Sequence, residues 1–456
     1  MFPEEVRSIE DAKEIVAERD LSHVKVGVFD LDGVFRGKYM SRDKFISSLD
    51  SGFGFCDVVL GWDSDDQLYD NVKYTGWHTG YPDAPVRILP ETCRELPMEG
   101  EGNLIFLAEF TGKAEAVCPR GVLRRVLENA RDKGLLFKAA CEYEFFMFKE
   151  DPNSIREKGY QNLKPITPGN FGYSVLRNSV WSDFYLDLME MSNAMDFPIE
   201  GLHTETGPGV IEAALAVDDA LAAADKANLF KTFTKVIAQK QELMATFMAK
   251  WSNDVPGQSG HIHVSMFDED GNSAFYDDTA EYNMSAAMRS FVAGQKKYMP
   301  EVLSMIAPTV NSFSRLVPGF WAPTSSMWSV DNRTTALRVI PGSAKSQRVE
   351  HRVGAADGNP YIVLAAVIAS GLKGLDEGLE LGPAITGNGY DVKPTDEECF
   401  PATLFEAAQR LRQSEMAIEY FGKDFVEHFA STREWEERES RRHISDWELK
   451  RYFEII

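Results

Sequence analysis

Apolar residues recur every three to four positions over residues 4–19, where Val6, Ile9, Ala12, Ile15 and Val16 share one helical face. The period then changes. VGVFDLDGVFRGK (26–38) alternates and turns at LDG and again at RGK, which predicts a pair of short strands. Residues 50–100 are rich in Gly, Asp and Pro and short on period, so they read as loops with brief strands. Near residue 113 the texture changes again. PRGVLRRVLENARDKG (119–134) has Pro in a first turn, apolar residues at i, i+3 and i+4, and Gly as a stop, which predicts a helix. The strand FKAACEYEFFMF follows it. Helices and strands then alternate to about residue 375, and a charged helical tail closes the chain. There is no internal repeat and no low-complexity linker, so two domains are expected, 1–110 and 111–456.

Asp30 poses a choice. An apolar run ending in Asp-x-Asp-Gly is how a haloacid-dehalogenase-type phosphatase presents its nucleophile. That chemistry also needs a later Ser or Thr, a Lys and a second acidic pair on a Rossmann-like sheet. Here the strand VFRGKYM follows Asp32 with no room for a crossover helix, and GWDSDD arrives only about thirty residues on. Asp-Gly therefore reads as the turn of a hairpin.

Composition narrows the class. The chain has 456 residues, 44% hydrophobic and 26% charged, which is ordinary for a globular protein. A net charge of −23 argues against nucleic acid as a partner. A protein this acidic that handled ATP would need metal ions or local arginines at the phosphates. Cys56, Cys93, Cys118, Cys141 and Cys399 are scattered and never in CxxC spacing, as expected of a reduced cytoplasmic protein without a zinc ribbon. MFPEEVRSIEDA is too polar for a signal peptide. YIVLAAVIASGL (361–372), the longest apolar stretch, is well short of the ~20 residues of a membrane span and reads as a buried helix.

Four segments carry candidate chemistry. In CEYEFF, strand period two puts Glu142 and Glu144 on one face. Paired buried carboxylates are costly without a cation between them, although a solvated strand edge is the alternative. In LHTETGPGVIEAAL, a Gly-Pro-Gly turn lets Glu205 and Glu212 face one another, with plain surface acids as the alternative. In GQSGHIHVSM, His261 and His263 share a strand face beside small residues, which favours contact with a ligand or phosphate over two core histidines. A Ser259–His261 hydrolase pair has no GxSxG elbow to support it. From NSFSRLVPGFWAP through DNRTTALRVIPGSAKSQRVEHR runs a basic series: Arg315, Arg333, Arg338, Lys345, Arg348 and Arg352, with Glu350 among them. Arginine forks suit carboxylates and phosphates, against the alternative of a solvated face. Five glutamates, a histidine and several arginines suit a two-metal phosphoryl-transfer site; no Walker GxxxxGK[ST] occurs.

EYEFFMF, ETGPGVIE, SGHIHVS, NSFSRLVPGF, NRTTALR, RVEHR and NPYIVLAA follow the motif order of the glutamine synthetase superfamily, and the resemblance covers nearly the whole chain. It implies an α+β fold: an N-terminal β-grasp domain and a large catalytic domain with a curved antiparallel sheet flanked by helices. It also implies a homo-oligomer of stacked hexameric rings with active sites between subunits. Carried over by motif, Glu144, Glu205 and Glu212 would hold one divalent cation, Mg2+ or Mn2+. Glu142, His261 and Glu350 would hold a second. His263, Ser265, Arg333, Arg338, Lys345 and Arg348 match the ATP side. Arg315 and Arg352 match the arginines that grip the carboxylates of glutamate, with Gly257 behind the amino-acid pocket. Arg315, Arg333 and Arg352 also stand as catalytic candidates.

Two departures from the family pattern bear on the substrate. Glutamine synthetases carry Glu directly after PG-F/Y, where it helps take a proton from ammonium; here the position is Trp321. The FDGSS segment, whose Asp reaches the neighbour's ammonium site, is replaced by FCDVVLGWDSDDQ, where Asp57 or Asp63 could stand in. The resemblance then implies a ligase joining glutamate to an organic amine at the expense of ATP. An alkylamine, with a pKa near the ~10 of Lys, is protonated at neutral pH and needs an acceptor or a seat on an aromatic face. An arylamine is neutral and needs neither. The alternatives are an ammonia-using synthetase and a catalytically silent homologue. Tyr390 in GNGYDV falls near a tyrosine that some bacterial members adenylylate, and reads more simply as a packed loop residue.

Overall fold

The computed structural model describes residues 1–456 and holds two sheets. The first is built from β1 (His23–Phe29), β2 (Phe35–Ser41), β3 (Phe53–Cys56), β4 (Asp83–Ile88), β5 (Arg94–Glu95) and β6 (Leu104–Phe110). Its order is β2-β1-β6-β4-β3, with β5 on β6. β1 and β6 pair in parallel at its centre, as in a β-grasp. β6 (LIFLAEF) is buried at every residue because both its faces are covered. Val16, Val26, Phe45 and Phe106 fill the core between this sheet and the helices Ile9–Glu18 and Arg42–Ser51. The predicted helix over 4–19 starts later than its apolar pattern, because Ser8 and Asp11 form a capping box that fixes Ile9 as the first residue.

The hairpin at Asp30 is a turn. The buried Asp30 carboxylate accepts from the backbone N–H of Asp32 (3.1 Å) and Val34 (2.8 Å) and from Arg36 Nε (2.8 Å). Gly33 supplies the φ of +77° that the loop requires. With its carboxylate closed onto its own loop, Asp30 presents no nucleophile. The hairpin is also docked: Asn359 Nδ2 donates to the carbonyls of Asp30 and Leu31, and Arg433 Nη2 pairs with Asp32 at 2.8 Å.

The second sheet is built from β7 (Leu135–Phe148), β8 (Ile199–Thr204), β9 (Val210–Leu215), β10 (Asp218–Asp219), β11 (Met244–Thr246), β12 (Gly260–Asp268), β13 (Trp328–Val330), β14 (Leu337–Ile340) and β15 (Arg348–His351). Its order is β13-β14-β15-β12-β7-β9-β8, antiparallel except at β13–β14, with β10 and β11 also on β7. The predicted helix at 119–134 forms over Pro119–Arg131, and the strand after it is β7. The apolar stretch at 361–372 lies in the helix Pro360–Asp376, which is buried over most of its circumference. It crosses the helix Ala286–Ile306 so closely that a Cβ at Gly294 would meet Ser370 O at 2.3 Å. Four helices from Leu404 to Tyr452 form the charged tail. No helix is long and apolar enough to cross a membrane.

Candidate active site

Strand register draws one line of functional groups across the second sheet. Arg338 on β14 opposes Glu350 on β15, and Glu350 opposes His263 on β12. Two residues along β12, His261 opposes Glu142 on β7. Two residues along β7, Glu144 opposes Glu212 on β9, which opposes His203 on β8. Cross-strand partners share a face, as do residues two apart, so every one of these side chains points the same way.

The donors gather in two groups: Glu142, His263 and Glu350, and His203, Glu205 and Glu212, each with ligand atoms within 4.8 Å of one another. His263 Nε2 lies 3.2 Å from Glu142 Oε1, and His203 Nε2 lies 3.8 Å from Glu212 Oε2. His261 Nδ1 stands 3.4 Å from Glu350 and 3.7 Å from Glu142. The Nε2 atoms of His203, His261 and His263 are buried without a hydrogen-bond partner. Unpartnered buried imidazoles facing crowded carboxylates are the donor set a divalent cation takes, so these residues fit one.

The grouping differs in part from the sequence expectation. His263, placed on the nucleotide side from sequence, reaches Glu142, because Arg348 Nε donates to its Nδ1 at 3.2 Å and orients the ring. Glu144 turns one oxygen to the backbone N–H of Ser259 (2.7 Å), and His203 takes its place beside Glu205 and Glu212. Sequence reading passed over His203. The signal lay in LHTETG, where strand period places it on the face of Glu205.

Burial and like charge make the acidic cluster unstable by itself. Burial pushes Glu212 up to about 9, with Glu144, Glu142 and Glu205 adding to the effect. Burial raises Glu144 as well. Burial opposes ionisation of Glu142, yet His261 and His263 hold it well below the usual carboxylate range. Glu350 is brought to about 2, because His261 and Arg352 outweigh its burial. A cation at this place would favour all the ionised forms at once.

Around this line lies a cleft of about 610 Å3, within the range of ligand pockets (roughly 300–1,000 Å3). Arg315, Arg333, Arg338, Arg352, Gly257, Phe320 and Trp321 line it with the acidic groups. Arg338 and Arg352 each donate to one oxygen of Glu350. Arg352 Nε is buried and unpaired. Arg315 ends the helix Val310–Arg315 and donates to the carbonyls of Val353 (2.9 Å) and Arg352 (3.2 Å); burial brings its pKa down to about 10. Gly257 is packed so tightly that a Cβ would meet Arg315 Cγ at 2.6 Å. Arg333 is exposed in the cleft wall.

After Arg315 the segment LVPGFWAP contributes Phe320 and Trp321, both partly exposed, to the rim of the cleft. Gly319 has φ +83° and Trp321 has φ +60°, and the Trp321 side chain is 57% exposed. Tyr173, also in the cleft lining, stacks on His203, centroids 4.5 Å apart.

Other expected residues lie away from this chain's cleft lining. Ser265 Oγ donates to Gln347 O, and Lys345 is exposed. Asp57 is buried and accepts from Thr75 Oγ1 at 2.6 Å. Asp63 accepts from the backbone N–H of Asp65 and Gln67. Tyr390 packs beside Pro318 and Pro323 with its hydroxyl buried and unpartnered.

Comparison with known proteins identifies the family. The family profile described as glutamine synthetase, catalytic domain, matches residues 116–452. Type-1 glutamine synthetase 2 of Dictyostelium discoideum is 46% identical over 439 residues, 95% of this chain and 84% of that protein. Glutamate–isopropylamine ligase of a Pseudomonas species is 34% identical over 462 residues, covering 100% of both chains. The solved GmaS/ADP complex, at 24% identity, superposes with a TM-score of 0.84 over 97% of this chain and 99% of that one, which shows a common α+β fold. Members of this family in general use ATP and a divalent metal, and the chain is an ATP-dependent carbon–nitrogen ligase. By motif, fold and the line of carboxylates and imidazoles across its sheet, the chain belongs to the glutamine synthetase family.

Proposed function

We propose that the enzyme joins the γ-carboxylate of glutamate to an organic amine, an arylamine or a small alkylamine, through γ-glutamyl phosphate, releasing ADP and phosphate. The observation that carries this reading is Trp321 at the mouth of the cleft, where ammonia-using members of the family place a carboxylate. An indole supplies no base, and its apolar face suits carbon.

The chain's residues divide the work. Arg315 and Arg352 receive the carboxylates of glutamate, and Gly257 keeps the wall beside Arg315 close. Arg333 and Arg338 in the cleft wall receive the nucleotide with Arg348 beside His263; Ser265 and Lys345, expected there from sequence, lie outside the cleft lining. Mg2+ or Mn2+ bound by Glu142, Glu144, Glu205, Glu212, Glu350, His203, His261 and His263 would neutralise phosphate oxygens. The γ-carboxylate oxygen attacks the terminal phosphorus as ADP leaves. The amine nitrogen then attacks the acyl carbon as phosphate leaves. A protonated alkylamine finds Glu205 and the rings of Phe320 and Trp321 in the same cleft. Likeness to a ligase named for isopropylamine supports the alkyl reading. Retention of the six metal candidates read from the sequence, Glu142, Glu144, Glu205, Glu212, His261 and Glu350, weighs against a silent homologue.

Assembly into stacked hexameric rings with shared sites, in the cytoplasm, belongs to the same proposal. The five free cysteines suit a reducing compartment. Asp57 and Asp63 lie outside their own chain's cleft lining, so any part they play is in a neighbour's site.

A phosphate-release screen with glutamate, ATP, Mg2+ or Mn2+ and a panel of ammonium, methylamine, isopropylamine, ethanolamine, putrescine and aniline tests the reading. An organic amine is expected to give the highest kcat/KM. Ammonium as best substrate would establish the second reading, a glutamine synthetase, which the 46% identical relative favours by its name. Metal binding has its own readout. Mn2+ at a hundred times its Kd should stabilise the fold by about 2.7 kcal/mol, raising Tm measurably, and EDTA should reverse this. A Tm indifferent to Mn2+ and Mg2+ would remove the metal assignment.

A further inference from the structure

Beside the lid lies a lysine without a role in the reaction above. Lys250 is only 8% exposed, and its Nζ stands 4.9 Å from the centroid of the Phe320 ring. Its ammonium has no ion pair and no hydrogen bond within the chain, and the Phe320 ring is its aromatic contact. A lysine stem can lie buried while its ammonium reaches the surface, and an aromatic face is a recognised seat for such a cation.

The lysine is held firmly and the ring is not. Asn311 Oδ1 accepts from Lys250 N and Asn311 Nδ2 donates to Lys250 O, both at 2.8 Å, which clamps the loop to the helix Val310–Arg315. Gln258 N donates to Ala249 O at 2.7 Å, tying the same loop to the chain entering β12. Phe320 instead sits between Gly319 and Trp321, both in the left-handed region, on a segment whose two aromatic rings are exposed. A fixed cation thus faces a ring on an exposed segment.

We propose that Lys250 is a positioning residue for the lid: by holding Phe320 it keeps Trp321 across the mouth of the cleft and keeps water from the acyl phosphate. This rests on the ligase reading. In productive turnover the nitrogen of the neutral amine bonds to the acyl carbon as the carbon–oxygen bond to phosphate breaks, and an N–H proton is released. In the side reaction a water oxygen forms that bond and a proton is released, giving glutamate and phosphate with ATP consumed and no amide formed.

Three variants test this in the full-length enzyme. Lys250→Met removes the charge, Phe320→Leu removes the ring, and Lys250→Arg keeps a cation for the ring. Phosphate and amide are measured together, with whichever amine, ammonium included, the unmodified enzyme uses best. The phosphate-to-amide ratio is expected to rise about fivefold in the Met and Leu variants and to stay within about twofold in the Arg variant. Hydrogen exchange over residues 316–323 should quicken in the first two. An unchanged ratio in both overturns the proposal. So does a raised KM for glutamate in Lys250→Met alone, which would make Lys250 a ligand of the acid. Should the unmodified enzyme form no amide at all, the ligase reading fails and hydrogen exchange decides the latch separately: unchanged exchange overturns it.

Discussion

Glu350→Gln should lower glutamate-dependent phosphate release on the order of 10^2–10^3-fold, the loss typical of removing one preorganised charge partner from a catalytic site. Glu350 is wholly buried, and both its oxygens are occupied: Arg338 Nη1 donates at 2.9 Å and Arg352 Nη1 donates to the other. It also stands with Glu142 and His263 as a cation donor. The amide keeps the shape, removes the charge, and turns its N–H groups toward the Arg338 or Arg352 guanidinium, which has no lone pair to accept them. Breaking a buried pair from one side costs about 3–5 kcal/mol, so Tm should fall as well. Assays at a temperature where the variant is folded, over a range of Mn2+, separate the two effects. Activity within tenfold of the unmodified enzyme would show that Glu350 is not at the centre of the site.

Trp321→Glu should move selectivity toward ammonium over isopropylamine by on the order of 10^2, through two terms of the same sign. Loss of the indole removes a cation–π seat worth roughly 0.5–2 kcal/mol for an alkylammonium. Gain of a carboxylate supplies a charge for NH4+ and an acceptor for its proton, and a tenfold change needs only about 1.4 kcal/mol. The exchange should leave the fold intact, since an exposed position away from the core usually contributes within about ±0.5 kcal/mol. Its φ of +60° is unfavourable for either side chain, so that strain cancels in the comparison. The measurement is kcat/KM for both amines with each enzyme. Equal ratios would mean that Trp321 does not touch the nucleophile's path.

Much of this enzyme was legible in one dimension because its site is built on strands. Period two alone places Glu142 with Glu144 and His261 with His263, and the ladder of the second sheet carries these faces into register. The hairpin at Asp30 followed from Asp-Gly chemistry, and the buried helix at 361–372 from an apolar run too short for a bilayer. The helix Arg42–Ser51 was not legible, since Phe45, Ser48 and Leu49 are all it buries and the sheet beneath supplies the rest of its stability.

Local period and turn chemistry depend only on neighbours in the chain, so the amino-acid order by itself determined the strand faces, the hairpin, the acidic and basic inventory and the exchange at Trp321. Which groups meet was left to the folded chain. His203 joins Glu205 and Glu212, His263 turns to Glu142 under Arg348, Asp57 is closed off by Thr75, and Lys250 finds Phe320 across a gap of seventy residues. Such partners are chosen by cross-strand register and by the search of buried charges for compensation, and both exist only once the sheet has closed.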